Sequence, residues 1–205
     1  FGTNWLPEAE HGGYYQAVAD GSYADCGLDV TIVPGEPQQN NRAVMLAGKI
    51  DFALTANLLG TFSAAAEGVP TVAVMAVFQK NPRVFMAHPG KAKSFEDLKK
   101  LRIYVSDEGY ATYYHWMENR FGFRHNQREI YTSDLAPFLN DPDSAVQGFI
   151  SYEPFAIAHS AGFTPDVFLL ADVGWSTYAA LIETMTTTVE TRPEVVQCFV
   201  DGTAR

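Results

Sequence analysis

The run Pro70-Thr-Val-Ala-Val-Met-Ala-Val-Phe78 constrains this 205-residue chain more than any other stretch. Gly68 and the polar residues 79–82 bound it, and its length and β-branched content fit a strand. From Val72 onward no polar residue alternates with the apolar ones, which predicts a strand covered on both faces, as in a parallel sheet. The segments before it supply the rest of such a sheet. Residues 28–33 and 50–55 read as strands, and 13–25, 38–48 and 58–68 as helices, with Gly27, Gly48 and Gly68 at helix ends. Residues just before Trp5 and Leu6 can end a further buried strand, stopped by Pro7. The order β-α-β-α-β-α-β argues an α/β architecture.

After Phe78 the rhythm changes. Strands are expected at 83–88, 102–105, 130–131, 145–150 and 167–170, with an aromatic-rich helix at 110–120 and another at 155–161 ending on Gly162. Ser94-Phe-Glu-Asp97 has the form of a capping box and opens a short helix; Thr191-Arg-Pro-Glu194 has the same form, with Pro inside the first turn of the last helix. Residues 178–188 read as an extended apolar and Thr-rich segment. The strand–helix pattern restarts at Arg102, so two α/β lobes are expected. Lobe one takes residues 1–100 and 177–205, and lobe two, inserted, takes 101–176. The hinge crossings fall near 90–101 and 174–180.

Composition limits the function. A net charge of −10 disfavours nucleic acid and anionic membrane surfaces as partners. No apolar run is long enough to span a bilayer. The chain enters a candidate strand almost directly at Phe1 and shows no signal peptide, so a processed or trimmed start is expected. Cys26 and Cys198 are too few for a disulfide framework or a metal site and are expected to be separate, half-buried thiols. His88, His115, His125 and His159 have no metal-ligand spacing.

The stretch Thr3–Ala17 crowds Trp5, Glu8, Glu10, His11 and Tyr14 between a strand end and a helix start. In open α/β sheets ligands bind at such places.

With these residues in view, the chain resembles the substrate-binding proteins of ABC transporters, in the branch that binds thiamine pyrimidine precursors and includes the fungal thiamine-pyrimidine synthases. The resemblance rests on Asn4-Trp5 with Glu10-His-Gly-Gly-Tyr-Tyr-Gln16, Gly27-Leu-Asp-Val-Thr-Ile32 and Pro34-Gly35. It continues through Ala47-Gly-Lys-Ile-Asp-Phe52, Glu67-Gly-Val-Pro70 and Ser94-Phe-Glu-Asp-Leu98. Members usually continue past the point where this chain stops. The resemblance implies a two-lobed periplasmic binding protein fold, type II-like, with mixed sheets flanked by helices that close on a ligand by a hinge. It also implies a periplasmic or extracytoplasmic monomer, a membrane permease as partner and no cofactor.

Mapped onto that fold, lobe one supplies Asn4, Trp5, Glu10, His11, Tyr14, Thr55 and Asn57 to the ligand. Lobe two supplies Ser106, Glu108, Tyr110, Tyr152 and Glu153, with Trp175 near the return crossing. The set holds aromatics and carboxylates and no Lys or Arg, which favours a neutral or weakly basic heterocycle, such as an aminopyrimidine or a flavin, over a sulfonate, nitrate or taurine. A pyrimidine synthase would need a lysine, a histidine and a Cys-rich segment. In the register of Ile50–Phe52 these fall at Thr55, Leu59 and residues 179–185, none of which matches, so an enzyme is not expected.

Overall fold

A computed structural model describes residues 1–36 and 39–205. Pro37 and Gln38, which end the expected 34–37 turn and start the expected helix 38–48, lie outside the described residues. In chain order the regular elements are α1 (Gly12–Ala19), α2 (Asn41–Leu46), β1 (Phe52–Asn57), α3 (Leu58–Ala66), β2 (Thr71–Phe78) and β3 (Arg83–Ala87). Next come β4 (Arg102–Val105), α4 (Asp107–Gly109), α5 (His115–Phe121), β5 (Arg128–Ile130), α6 (Ala136–Leu139) and β6 (Ser144–Phe149). The chain closes with α7 (Glu153–Ala161), β7 (Asp166–Leu169), β8 (Ala179–Met185), α8 (Thr186–Thr191) and α9 (Pro193–Thr203). It divides into two compact units, Phe1–Gln79 with Thr177–Arg205, and Lys80–Ser176.

The first unit is built on a three-stranded antiparallel sheet in the order β1-β8-β2. This corrects the reading of residues 70–78. β2 is an edge strand, half-buried along most of its length, and among the described residues it pairs only with β8. The strand covered on both faces is β8. Its sequence concealed that, because it carries Glu183 and Thr184, both fully buried. Residues 28–33 form no regular strand either. Among them only Val33 makes a bridge, to Gly2, which also bridges Ala53 in parallel.

Aromatic side chains fill this unit's core. Phe199 of α9 stacks on Phe52 at 4.1 Å and on Tyr23 at 5.1 Å. Gly202, one turn further along, allows this approach, since a β-carbon there would stand 2.6 Å from the Tyr23 ring. The expected capping box at Thr191 does not form. The Thr191 hydroxyl donates to the Thr187 carbonyl at 2.6 Å, and Arg192 is the N-cap of α9.

The same packing corrects the cysteine reading. Cys26 and Cys198 form a disulfide, with Cα atoms 5.9 Å apart. Tyr23 and Phe199 hold the turn at 24–26 against α9, so thiols 172 positions apart in sequence become neighbours.

An ion pair between half-buried Arg42 and fully buried Glu183 completes the unit. Arg42 of α2 donates to both carboxylate oxygens of Glu183, at 2.8 and 2.9 Å, and the hydroxyls of Thr61 and Thr55 donate at 2.5 and 3.2 Å. Burial alone would raise the Glu183 pKa. The Arg42 and Thr61 hydrogen bonds and the Arg42 charge outweigh it and hold the carboxyl below its ordinary range.

The second unit holds a mixed sheet in the order β5-β4-β6-β3-β7. β4 runs parallel to β5 and β6, while β3 runs antiparallel to β6 and β7. Phe85, Leu98, Ile103, Tyr113, Tyr114 and Met117 pack its core. The unit starts at Lys80, not at 101, because β3 is hydrogen-bonded between β6 and β7 and so belongs to this sheet. The return lies at 176–177. The capping box at Ser94 forms, with the Ser94 N–H and O–H both donated to Asp97. The expected helix 110–120 is interrupted at its start by a π-helical turn over Tyr110–Tyr114, a distortion frequent at functional sites.

Candidate functional site

In the first unit the N-terminal segment and β1 run parallel and leave the sheet at the same edge, so Asn4 emerges beside Thr55–Asn57. Buried Asn41, not singled out in the sequence, fixes that arrangement: its amide donates to the carbonyls of Thr3 at 2.6 Å, Gly2 at 3.2 Å and Leu54 at 3.4 Å.

His11, buried at the turn before α1, is the hub of this edge. Its Nδ1 accepts the Glu8 N–H at 3.2 Å, so the proton of the neutral ring is on Nε2, which faces Asn4 Oδ1 at 3.4 Å. Burial lowers the His11 pKa, against the raising influences of Glu10 and the Leu6 backbone. The ring is therefore a neutral linker. The unfolded chain takes up a proton before the folded one does, so stability is complete above about pH 6.5 and falls as the pH drops below it. Denaturant midpoints measured from pH 7.5 to 5.5 are expected to decline, and His11→Asn is expected to flatten that decline.

The other residues expected here serve the fold as well. Asn57 is buried and caps α3, accepting the N–H groups of Leu59 at 3.0 Å and Gly60 at 3.3 Å. The Thr55 hydroxyl is engaged by Glu183 and the Leu181 carbonyl. Tyr14 is in the core, its ring 4.9 Å from Phe1. Burial pushes the Tyr14 pKa far up, and its hydroxyl has no hydrogen-bond partner among the described residues. Trp5 and Glu10 are half-buried.

In the second unit β4 and β6 are parallel, so Ser106 after β4 and Tyr152-Glu153 after β6 reach one sheet edge. Gln147, missed in the sequence, ties Ser106 to Tyr113. Its Oε1 accepts the Ser106 N–H at 2.8 Å and the Tyr113 hydroxyl at 2.5 Å. The Ser106 hydroxyl accepts the Gly109 N–H at 3.1 Å and so caps α4. Burial drives the Tyr113 pKa well up, with Arg83 opposing and Glu108 and Glu153 adding to the rise.

Glu153 is only 4% exposed and accepts the Phe149 N–H at 2.7 Å. It packs over Gly148, where a β-carbon would stand 2.9 Å from it. Glu153→Ala is expected to lower stability by about 1–3 kcal/mol, because the Phe149 N–H loses its acceptor, and Glu153→Gln to restore much of it. Chemical denaturation of both variants reads the difference.

Tyr110, by contrast, turns to another group. Its hydroxyl meets His125 Nδ1 at 2.5 Å and the Arg128 guanidinium lies 4.4 Å over its ring. Glu108 is exposed on α4, Tyr152 is half-buried at the start of α7, and Trp175 is buried against Trp116 and Tyr113. The Trp175 indole N–H has no hydrogen-bond partner among the described residues. Among those residues no group of His, Cys, Asp and Glu is arranged to hold a metal ion.

One cation does reach the edge of Ser106 and Glu153. Because β3 is antiparallel to β6, its first residue, Arg83, pairs with Phe149, the last of β6. The sequence shows a strand at 83–88 but not its direction, so nothing in it marks Arg83 as a site residue.

The profile of the NMT1/THI5-like family matches residues 8–205. The chain belongs to this family. No curated sequence relative is detected. Among solved structures, this NMT1/THI5-like chain resembles a Candida albicans gene product described as having the generic periplasmic binding protein fold, at TM-score 0.68 and 13% identity. That match covers 98% of this chain and 68% of that one. A sulfonate-binding protein SsuA from Methylobacillus flagellatus matches at TM-score 0.60 and 16% identity, over 94% of this chain and 61% of that one. An arginine-specific periplasmic binding protein from Salmonella typhimurium matches at TM-score 0.72 and 11% identity, over 100% and 92%. The fold is thus the α/β periplasmic binding protein fold expected from the resemblance. Among the described residues no helix is long and apolar enough to cross a membrane.

Proposed function

We propose that this NMT1/THI5-like protein is the solute-binding component of an ABC-type importer. Its ligand is a small heterocycle of the thiamine-pyrimidine-precursor or riboflavin type, bound without turnover. The observation that carries the reading is the family match over residues 8–205 on a periplasmic binding protein fold. Each sheet also brings polar groups to the end where ligands of open α/β sheets bind: Asn4, His11 and Asn57 in one unit, and Ser106, Gln147 and Glu153 in the other. In this reading it acts as a monomer and passes its ligand to a membrane permease. The Cys26–Cys198 disulfide supports an extracytoplasmic site of action, since such bonds persist in oxidising compartments.

The family name also covers a synthase, but the positions in register with its lysine, histidine and Cys-rich segment are here Thr55, Leu59 and β8. Thr55 and β8 are part of the Glu183 network, a structural use that supports binding over catalysis. Equilibrium titration with 4-amino-5-hydroxymethyl-2-methylpyrimidine, riboflavin and taurine, followed by Trp fluorescence, tests the ligand class. A saturable response to the heterocycles is expected. Tight taurine binding with no response to either ring compound would overturn it.

A further inference from the structure

We infer that the ligand carries an oxyanionic group, a carboxylate, sulfonate or phosphate, and that Arg83 receives it. The inference rests on the solute-binding reading above and changes only the charge expected of the ligand.

Five other arginines, Arg42, Arg102, Arg128, Arg192 and Arg205, each pair with a carboxylate. In a chain with 24 acidic and 14 basic residues such partners are abundant. Arg83 has none. Among the described residues its guanidinium has no ion-pair partner and no hydrogen-bond acceptor, and Arg120 and Arg124, similarly without a carboxylate, are exposed. Arg83 is half-buried, and two rings hold it in place: its Cζ lies 4.2 Å over Phe149 and 5.2 Å over Tyr113. Its backbone is fixed too, the N–H donating to Asn81 Oδ1 at 3.0 Å.

A guanidinium resting on aromatic faces keeps its fork of N–H donors in its own plane, the geometry that meets an oxyanion with two hydrogen bonds. Arg83 stands at the strand end that also presents Ser106 and Glu153, with Tyr113 fixed by Gln147 beside it. A half-buried, pre-oriented cation without a protein acceptor, at the ligand-binding edge of a sheet, has the properties of a recognition group. Glu108 and Glu153, which act on the same Tyr113 hydroxyl, would favour an amino or ring-nitrogen group elsewhere on the ligand.

The test compares matched pairs differing by one oxyanion: nicotinamide and nicotinate, riboflavin and its 5′-phosphate, and the aminopyrimidine and its phosphate. Taurine and sulfate serve as ringless oxyanions. Trp fluorescence titrations of wild type, Arg83→Gln and Arg83→Lys are expected to show the charged member of at least one pair binding about 10- to 100-fold tighter to wild type. Arg83→Gln weakens the charged member far more than the neutral one and so removes that preference, and Arg83→Lys recovers part of it. Should Arg83→Gln not fold, the wild-type preference and the Arg83→Lys loss carry the same information. Neutral members binding as well as charged ones, unaffected by Arg83, would overturn the inference and leave the solute-binding reading standing. Arg83-dependent binding of taurine or sulfate alone would support it and remove the heterocycle. Silence from every probe would overturn both.

Discussion

Reduction of the Cys26–Cys198 disulfide is expected to lower the free energy of unfolding by about 2–5 kcal/mol. The bond closes a loop spanning 172 positions, with the whole second unit inside it. In the chain-entropy account a loop of that length sits near the top of the range, because the crosslink removes most from the unfolded ensemble. For a domain of this size the loss corresponds to a drop in Tm of roughly 5–15 °C. Cys198→Ser is expected to behave like the reduced wild type and to be insensitive to dithiothreitol. Thermal melts with and without reductant make the comparison, and a wild-type Tm that ignores reductant would contradict it.

Glu183→Ala is expected to have a comparable effect, about 3–5 kcal/mol, by leaving Arg42 facing a site with no counter-charge. Three elements meet at this carboxylate: Arg42 from α2, Thr55 from β1 and Thr61 from α3. Glu183→Gln keeps an acceptor for one hydroxyl but gives up the charge, and a loss between wild type and Glu183→Ala is expected. The lowered pKa adds a pH signature. The unfolded carboxyl takes its proton near pH 4.5 and the folded one only below that, so the stabilisation is present above about pH 4.5 and disappears as the pH falls further. Glu183→Ala is expected to show a shallower acid limb in urea melts from pH 6 to 3. An unchanged acid limb would place the acid sensitivity elsewhere.

Much of this architecture was legible in the sequence. The strand Arg102–Val105, the helix ending at Gly162 and the Ser94–Asp97 capping box are all local: period-two hydrophobicity, a left-handed glycine and a side chain reaching its own backbone. What escaped is non-local. β2 looked like a central strand because its residues are apolar, yet the centre went to β8, whose polar Glu183 is satisfied by residues over 120 positions away. Arg83 was visible as the start of a strand, but only the antiparallel pairing with β6 brings it to the ligand edge. The cysteines gave no sign of their pairing, which depends on Phe199 packing on Tyr23. Of the candidate site, Asn4 and His11 are hydrogen-bonded to each other in the first unit and Ser106 and Glu153 share one end of the second sheet, each with its own partners, whereas Tyr14 and Trp175 are core.

Isothermal titration calorimetry of the disulfide-bonded protein with the aminopyrimidine, riboflavin and their phosphates, followed by recovery and mass analysis of the ligand, tests the central claim most directly. The account predicts saturable one-to-one binding of at least one ring compound, which is recovered chemically unchanged. Consumption of the ligand, or the absence of any binding heat across the series, would contradict it.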